Sequence, residues 1–216
     1  MGRHKIQNTP AIRRMPTYMH KLMQLHAAGE KYTSAAKLAE YMELDQIVIR
    51  KDFELTGVQG TPGIGYKTSE LIRAIRRFLG WNEIKTAFLL GAGSLGSALL
   101  GYEDFTEYGL HITGVFDSDP AKIGTMVHGY EVLDIRRLTE YALRDRPQLG
   151  IICTPSSCAQ RLADQLMECG VGAFWNFANV CLKAPPDVVI QREVIAGGFA
   201  VLSRKLKIHI PGDGLD

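Results

Sequence analysis

The sequence predicts an α/β chain in two parts: a winged helix-turn-helix, then a doubly wound parallel sheet that ends in a C-terminal helix. Three observations carry this expectation. The first third shows short helical stripes followed by a glycine-rich turn. After Trp81 the pattern changes to alternating apolar strands and amphipathic helices. The charge also changes sign: residues 1–80 carry 13 Lys and Arg against 7 Asp and Glu, a net +6, and residues 81–216 carry 12 against 16, a net −4. A basic part beside a mildly acidic one suggests that only the first part meets a polyanion.

In the first part, residues 1–14 are polar, basic and without period, and read as a loosely docked arm. From Pro16, the positions Met19, Leu22, Met23 and Leu25 have helical spacing, and Gly29 stops them. Thr33 or Ser34 caps a second helix with Leu38, Ala39 and Met42 on one stripe, and Asp45 caps a third from Gln46 to about Leu55. Two short helices in this order form a helix-turn-helix. Four glycines and a proline between Thr56 and Lys67 then suit a tight hairpin, the wing. A helix from Ser69 to Leu79 ends at Gly80, where the boundary is expected.

Beyond it, strands are expected at Thr86–Leu90, His111–Phe116, Leu149–Cys153, Gly172–Asn176 and Val188–Ile190. Helices are expected at Ser94–Leu100, Leu133–Ala142 and Ser156–Cys169. This divides the chain into a winged-helix DNA-binding domain (1–80), a sheet domain (81–192), a helix (193–207) and a tail (208–216). The helix carries apolar Val194, Ile195, Phe199, Val201 and Leu202 and needs a surface to bury against, which points to a second copy of the chain or to packing within this one.

Several classes are disfavoured. No apolar run approaches the roughly 18 residues that span a bilayer, and no apolar signal region follows the basic start, so no membrane partner and a cytoplasmic location are expected. Cys153, Cys158, Cys169 and Cys181 make no C-x-x-C pair and have no His at ligand spacing, so no metal is expected and the thiols read as buried and inert.

Gly91-Ala92-Gly93-Ser94-Leu95-Gly96 is a G-x-G-x-x-G that follows an apolar strand and opens a helix, and a second strand then ends in Asp117. In that context the motif reads as a Rossmann-type dinucleotide fingerprint. Gly91 allows the turn, Gly93 lets the backbone approach a pyrophosphate, and Gly96 lets helix and strand close up. The N–H groups that open the helix face the phosphates. Asp117 is placed to accept hydrogen bonds from a ribose and to repel a 2′-phosphate, which favours NAD(H); Asp119, before Pro120, is a competitor that suits a helix cap better. Coenzyme A is an alternative occupant.

On the third helix Gln46 and Arg50 suit base edges, and Lys51, like Lys67 beyond the wing, suits phosphate. An oxidoreductase would need a general acid or base at the nicotinamide. His111 and His128 are poor candidates, so no catalytic residue and no enzymatic activity are expected. A nucleotide-binding protein or oxidoreductase without redox-regulated DNA binding is the alternative.

Arg50-Lys51-Asp52, Gly63-Ile64-Gly65-Tyr66, the Gly91–Gly96 loop, the run Phe116–Gly124 and Asn176-Phe177-Ala178 together resemble the Rex family of bacterial redox-sensing repressors, in order over about residues 12–207. The resemblance implies a homodimer that binds NAD(H) in its sheet domain and palindromic double-stranded operator DNA through its winged helices, and that leaves DNA when NADH replaces NAD⁺. It implies that Thr154, Pro155, Asn176, Phe177 and Ala178 line the nicotinamide end and that the C-terminal helix reaches the partner subunit. It also implies a switch group in which this chain has His20 for an Arg, Tyr102 matched, and Val194 for an acid, with Glu193 adjacent. Pro62 stands where the family usually carries a basic wing residue.

Overall fold

The computed structural model describes residues 8–209. Among the described residues, contacts divide the chain into two units: residues 8–84 with 104–109, and residues 85–103 with 110–209.

In the first unit, α1 runs Thr9–Ala27. It starts well before Pro16, so the expected arm is helix from Thr9 on, and residues 1–7 lie outside the described residues. Pro10 sits at its N-terminal end, where a missing N–H costs nothing. Pro16 lies inside the helix. The helix continues through it because Ala11, Met15, Tyr18, Met19, Leu22 and Leu25 form one continuous buried stripe, which outweighs the lost backbone bond. α2 (Ala35–Met42) is capped by Ser34, whose side chain accepts from the Lys37 N–H, and α3 (Gln46–Glu54) by Asp45, which accepts from the Ile47 N–H. α4 (Thr68–Leu79) ends on Gly80 in the left-handed region.

These helices enclose a core of Met15, Tyr18, Met19, Leu22, Leu38, Ile49, Phe53, Leu71 and Ile75. The wing is a tight turn bridged at Thr61 and Gly65, shorter than the expected hairpin. Its exit strand β2 (Tyr66–Lys67) pairs antiparallel with β1 (Tyr32–Thr33). Gly65 has φ +95°, and a Cβ there would lie 2.3 Å from the Thr33 carbonyl oxygen, so this crossing accepts glycine alone. The segment 104–109 completes the unit: Tyr108 stacks on Trp81 at 4.1 Å and 21°.

The second unit is a seven-stranded sheet. Its strands are β3 (Lys85–Leu90), β4 (Leu110–Asp117), β5 (Met126–Val127), β6 (Tyr130–Asp134), β7 (Leu149–Ile152), β8 (Ala173–Asn176) and β9 (Val189–Arg192), in the order β5-β6-β4-β3-β7-β8-β9. All pairs are parallel except β5–β6. Helices α5 (Ser94–Leu100), α7 (Leu138–Asp145) and α8 (Ser156–Glu168) are crossovers, and α6 (Asp104–Glu107) lies in the segment that joins the first unit. The β5–β6 hairpin replaces part of the helix expected from Leu133. Alternate residues of β3 enter different cores: Phe88 and Leu90 pack with Phe116, Leu162 and Phe174, while Ala87 and Leu89 pack with Val115, Leu100 and Ile151. A strand covered on both faces reads as a continuous apolar run, as here. The strand order reverses between β3 and β7, which opens a crevice at their C-terminal ends.

The last helix, α9 (Ala196–His209), keeps Phe199, Val201, Leu202 and Leu206 exposed in this single chain, and Val194 and Ile195 just before it are exposed too. Residues 210–216 of the tail lie outside the described residues.

Candidate functional site

At the crevice, a cleft of about 570 Å³ is lined by Gly91, Gly93, Asp117, Ser118, Lys122, Thr154 and Pro155, with Phe116, Ile135, Cys158, Arg161 and Leu162. Its floor follows from the glycines. Gly91 has φ +98°, and a Cβ would lie 2.8 Å from the Cys153 carbonyl oxygen. At Gly96 it would lie 1.9 Å from the Gly91 carbonyl oxygen. At Gly93 it would meet nothing within 4 Å. Two glycines are therefore dictated by the protein's own packing, and the third opens onto the cleft, as a backbone that receives a pyrophosphate must. Ala92 is buried, while Ser94 and Leu95 begin α5 beside the cleft. The N–H groups of that first turn have no carbonyl within the helix to bond.

Asp117 ends β4 nearly buried. Its Oδ2 accepts from the Ala92 N–H at 2.8 Å and from Lys122 Nζ at 3.2 Å, and its Oδ1 accepts from the Asp119 N–H at 2.9 Å. Burial alone would push this carboxyl up. The Asp119 N–H, the Lys122 ammonium and the Ala92 N–H together outweigh it and hold the group below the usual carboxylate range. Asp119 spends its own Oδ1 on the Ala121 N–H, as a turn cap. Thr154 Oγ1 is buried without a hydrogen-bond partner among the described residues, at the cleft wall. An orphaned hydroxyl there suits a ligand oxygen or amide.

Asn176, Phe177 and Ala178 do not line this cleft. Asn176 is fully buried: its Nδ2 donates to the Val180 carbonyl and its Oδ1 accepts from the Ala178 N–H, so its side chain fixes the loop after β8. Cys153 is half-buried, and its desolvation pushes its thiol up to about 12. Cys158 and Cys169 are half-buried as well and Cys181 is exposed, against the expectation that all four thiols are buried. No cluster of three or more His, Cys, Asp or Glu suited to a metal occurs among the described residues.

In the winged unit, Gln46 and Arg50 are exposed one turn apart on α3, and Arg50 Nη2 donates to Gln46 Oε1 at 3.3 Å. They line a groove of about 500 Å³ together with Ser34, Ala35, Ala36 and the wing, Gly60–Tyr66. Lys51 and Lys67 are exposed outside that groove. Sequence reasoning missed what orients α3. Asp52, 4% exposed, is gripped by Arg14 through Nε at 2.7 Å and Nη2 at 2.8 Å, and accepts from Tyr18 Oη at 2.6 Å. The pair raises the Arg14 guanidinium above its ordinary value, and burial with the Asp52 bond raises the Tyr18 phenol. With Asp52 turned inward, Arg50 and Lys51 face out.

Of the expected switch residues, His20 is exposed on α1 with Nε2 2.9 Å from Gln24 Nε2. Tyr102 is exposed after α5, and Glu193 Oε1 accepts from Gln191 Nε2. His20 belongs to one unit, and Tyr102 and Glu193 belong to the other.

Fold and site together define a two-unit protein, a winged helix joined to a Rossmann-type nucleotide cleft. Comparison with known proteins sharpens this. The CoA binding domain model matches residues 82–180, and the model described as "Putative DNA-binding protein N-terminus" matches residues 9–54. The redox-sensing transcriptional repressor Rex of Treponema denticola is 41% identical over 202 residues, 94% of this chain and 96% of that one. The Rex of Desulfitobacterium hafniense is 40% identical over 192 residues, 89% of this chain and 91% of that one. Among solved structures, RSP, a Rex-family repressor, in complex with β-NAD⁺ and operator DNA has a TM-score of 0.84 at 31% identity, covering 95% of this chain and 94% of that one. RSP in complex with β-NADH has a TM-score of 0.83 at 30% identity, covering 95% and 96%. The chain belongs to the Rex family of redox-sensing transcriptional repressors.

Proposed function

We infer that this chain is a transcriptional repressor that senses the NADH/NAD⁺ ratio: it binds operator DNA as a dimer through its winged helices and is released by NADH. The observation that carries the reading is the pairing, on one chain, of outward-facing Gln46 and Arg50 beside a wing with a crevice whose central glycine is open. The residues present suit a dinucleotide. Gly93 offers approach to the pyrophosphate, Thr154 an unpartnered hydroxyl, and Asp117 an ionised carboxylate for a ribose hydroxyl. The bound dinucleotide supplies a redox-dependent shape and charge at its nicotinamide. The protein's part is to hold it and to favour one arrangement of the winged helices over another.

Gln46 and Arg50 serve as base readers, Lys51 and Lys67 as phosphate contacts, and Asn176 as the residue that shapes the nicotinamide-end loop of Phe177 and Ala178. The exposed apolar residues of α9 support docking on a second copy of the chain. A regulator with DNA as its partner works in the cytoplasm, and the relatives' description as repressors supports a regulator over an enzyme.

The test is a gel shift with promoter fragments from the source genome, with added NADH or NAD⁺. Binding that NADH abolishes and NAD⁺ leaves intact is expected; no fragment bound in the absence of NADH would refute the reading. Because the sheet matches a CoA binding domain, coenzyme A is the competing occupant. Calorimetry in which coenzyme A binds and NADH does not would favour it.

A further inference from the structure

The outward face of α3 has an apolar centre. The buried side chains Ile49, Asp52 and Phe53 define its inner face, and at about 100° per residue the position opposite their midpoint is Ile47. Ile47 is 55% exposed, and among the described residues it belongs neither to the core of the winged unit nor to the side chains packed on that core. Gln46 and Arg50 flank it on one side and Lys51 on the other, all exposed. The Ile47 N–H is spent on the Asp45 carboxylate at 2.7 Å, so it has nothing left to give a phosphate and the side chain is what this position offers. Glu54, exposed about two turns further along, sets a negative charge at the far end of the helix, so the N-terminal half is the end that suits a polyanion.

We propose that Ile47 is a determinant of operator sequence that reads the methyl group of a thymine in the major groove. The proposal rests on the DNA-binding reading of the winged unit. Cations on both sides of Ile47 seat its face on phosphate-rich surface, and residues near the N-terminus of a recognition helix are the ones that reach base edges. Thymine alone of the four bases carries an apolar group on that edge, its C5 methyl. An isoleucine side chain can neither donate nor accept a hydrogen bond. It therefore gains by covering a methyl, whereas covering the amino group of a cytosine would strip that group of water and give it no partner. Gln46 and Arg50 then read hydrogen-bonding groups, and Ile47 reads the methyl between them and Lys51.

The experiment uses the full-length protein without NADH and a promoter fragment that it shifts. Within the footprint each thymine is replaced in turn by uracil, which keeps every hydrogen-bonding group and removes only the methyl. Wild type should lose about fourfold in affinity at one or more of these positions, the scale of one buried methyl group. Ile47→Ala should bind the thymine operator more weakly and lose its sensitivity to uracil at those positions. Ile47→Val keeps branched methyl groups and should retain that sensitivity. Arg50→Ala should weaken binding yet keep the sensitivity, which separates methyl readout from a general loss of contact. Because Ile47 lies outside the core, its variants keep the fold. Wild type indifferent to uracil at every position, or Ile47→Ala losing as much as wild type at each, overturns the proposal. Wild-type protein that shifts no fragment would instead bring down the DNA-binding reading itself.

Discussion

Gly93 and Gly96 are three positions apart in one motif, yet they answer to different constraints. A methyl at Gly96 collides with the Gly91 backbone, whereas a methyl at Gly93 meets only open cleft. Gly96→Ala should therefore lower the thermal stability of the sheet unit together with nucleotide binding. Gly93→Ala should leave stability unchanged, and Gly93→Val should weaken NADH tenfold or more. Differential scanning fluorimetry with and without NADH separates the two effects; equal destabilisation by both alanine variants would contradict the cleft as drawn. Asp117 makes a second residue-scale prediction. Its folded carboxyl titrates below the ordinary value of 3.8, so its contribution to stability is present above that value and disappears as pH falls through the lower folded value. The stability gap between wild type and Asp117→Asn should accordingly narrow below about pH 4 in denaturant titrations.

Among the elements, the recognition helix α3 is held from behind by a joint to α1. Arg14→Ala strips buried Asp52 of its charge partner and should cost about 3 kcal/mol of winged-helix stability by urea unfolding, the usual scale for such a loss. On the outer face, Arg50→Ala should cost about 1–3 kcal/mol of operator affinity and relax preference at one base pair. Lys51→Ala should weaken all sequences alike and reduce the salt slope by about 0.9 if it meets one phosphate. No charged residue lies between Thr56 and Tyr66, so a wing laid against DNA would release no counterions of its own, and Pro62→Lys should steepen the slope by about the same amount.

The same elements show what was legible in the sequence. The three glycine roles could be read because the strand, turn and helix that define them are adjacent in the chain. Helix α3 was legible for the same local reason, through Asp45 and its stripe. The Arg14–Asp52 joint was not, because it unites side chains 38 positions apart and neither residue breaks a local pattern. Strands β1, β5 and β6 escaped notice because they are short and owe their extension to the partner they pair with. The long start of α1 escaped because Pro16 reads locally as a helix start, while burial of the whole stripe decides otherwise.

For the molecule as a whole, the apolar residues of α9 predict a dimer, so sedimentation at micromolar concentration should give twice 23.9 kDa. Deleting residues 194–216 should give a monomer. The switch links binding events that reciprocity constrains: whatever factor NADH takes from operator affinity, operator must take from NADH affinity. We propose, from the resemblance alone, that His20 and Val194 stand in for the Arg and the acid of the family's linking group, so coupling should be weaker than the family pattern would supply. Restoring both, with His20→Arg and Val194→Asp, should enlarge the NADH effect on operator affinity by up to about tenfold, within the usual range of coupling energies. Fluorescence anisotropy of a labelled operator measures it, and an unchanged effect would remove this pair from the switch. The segment 104–109 has a further consequence, for modularity. It belongs by its contacts to the winged unit, where Tyr108 stacks on Trp81, yet it is encoded inside the sheet unit's stretch of sequence. The DNA-binding unit is thus not a cassette. A gene fusion that grafts residues 1–80 onto another sensor would leave behind Trp81 and the loop it stacks on, so in this chain reader and sensor can diverge residue by residue but are poorly suited to exchange by recombination.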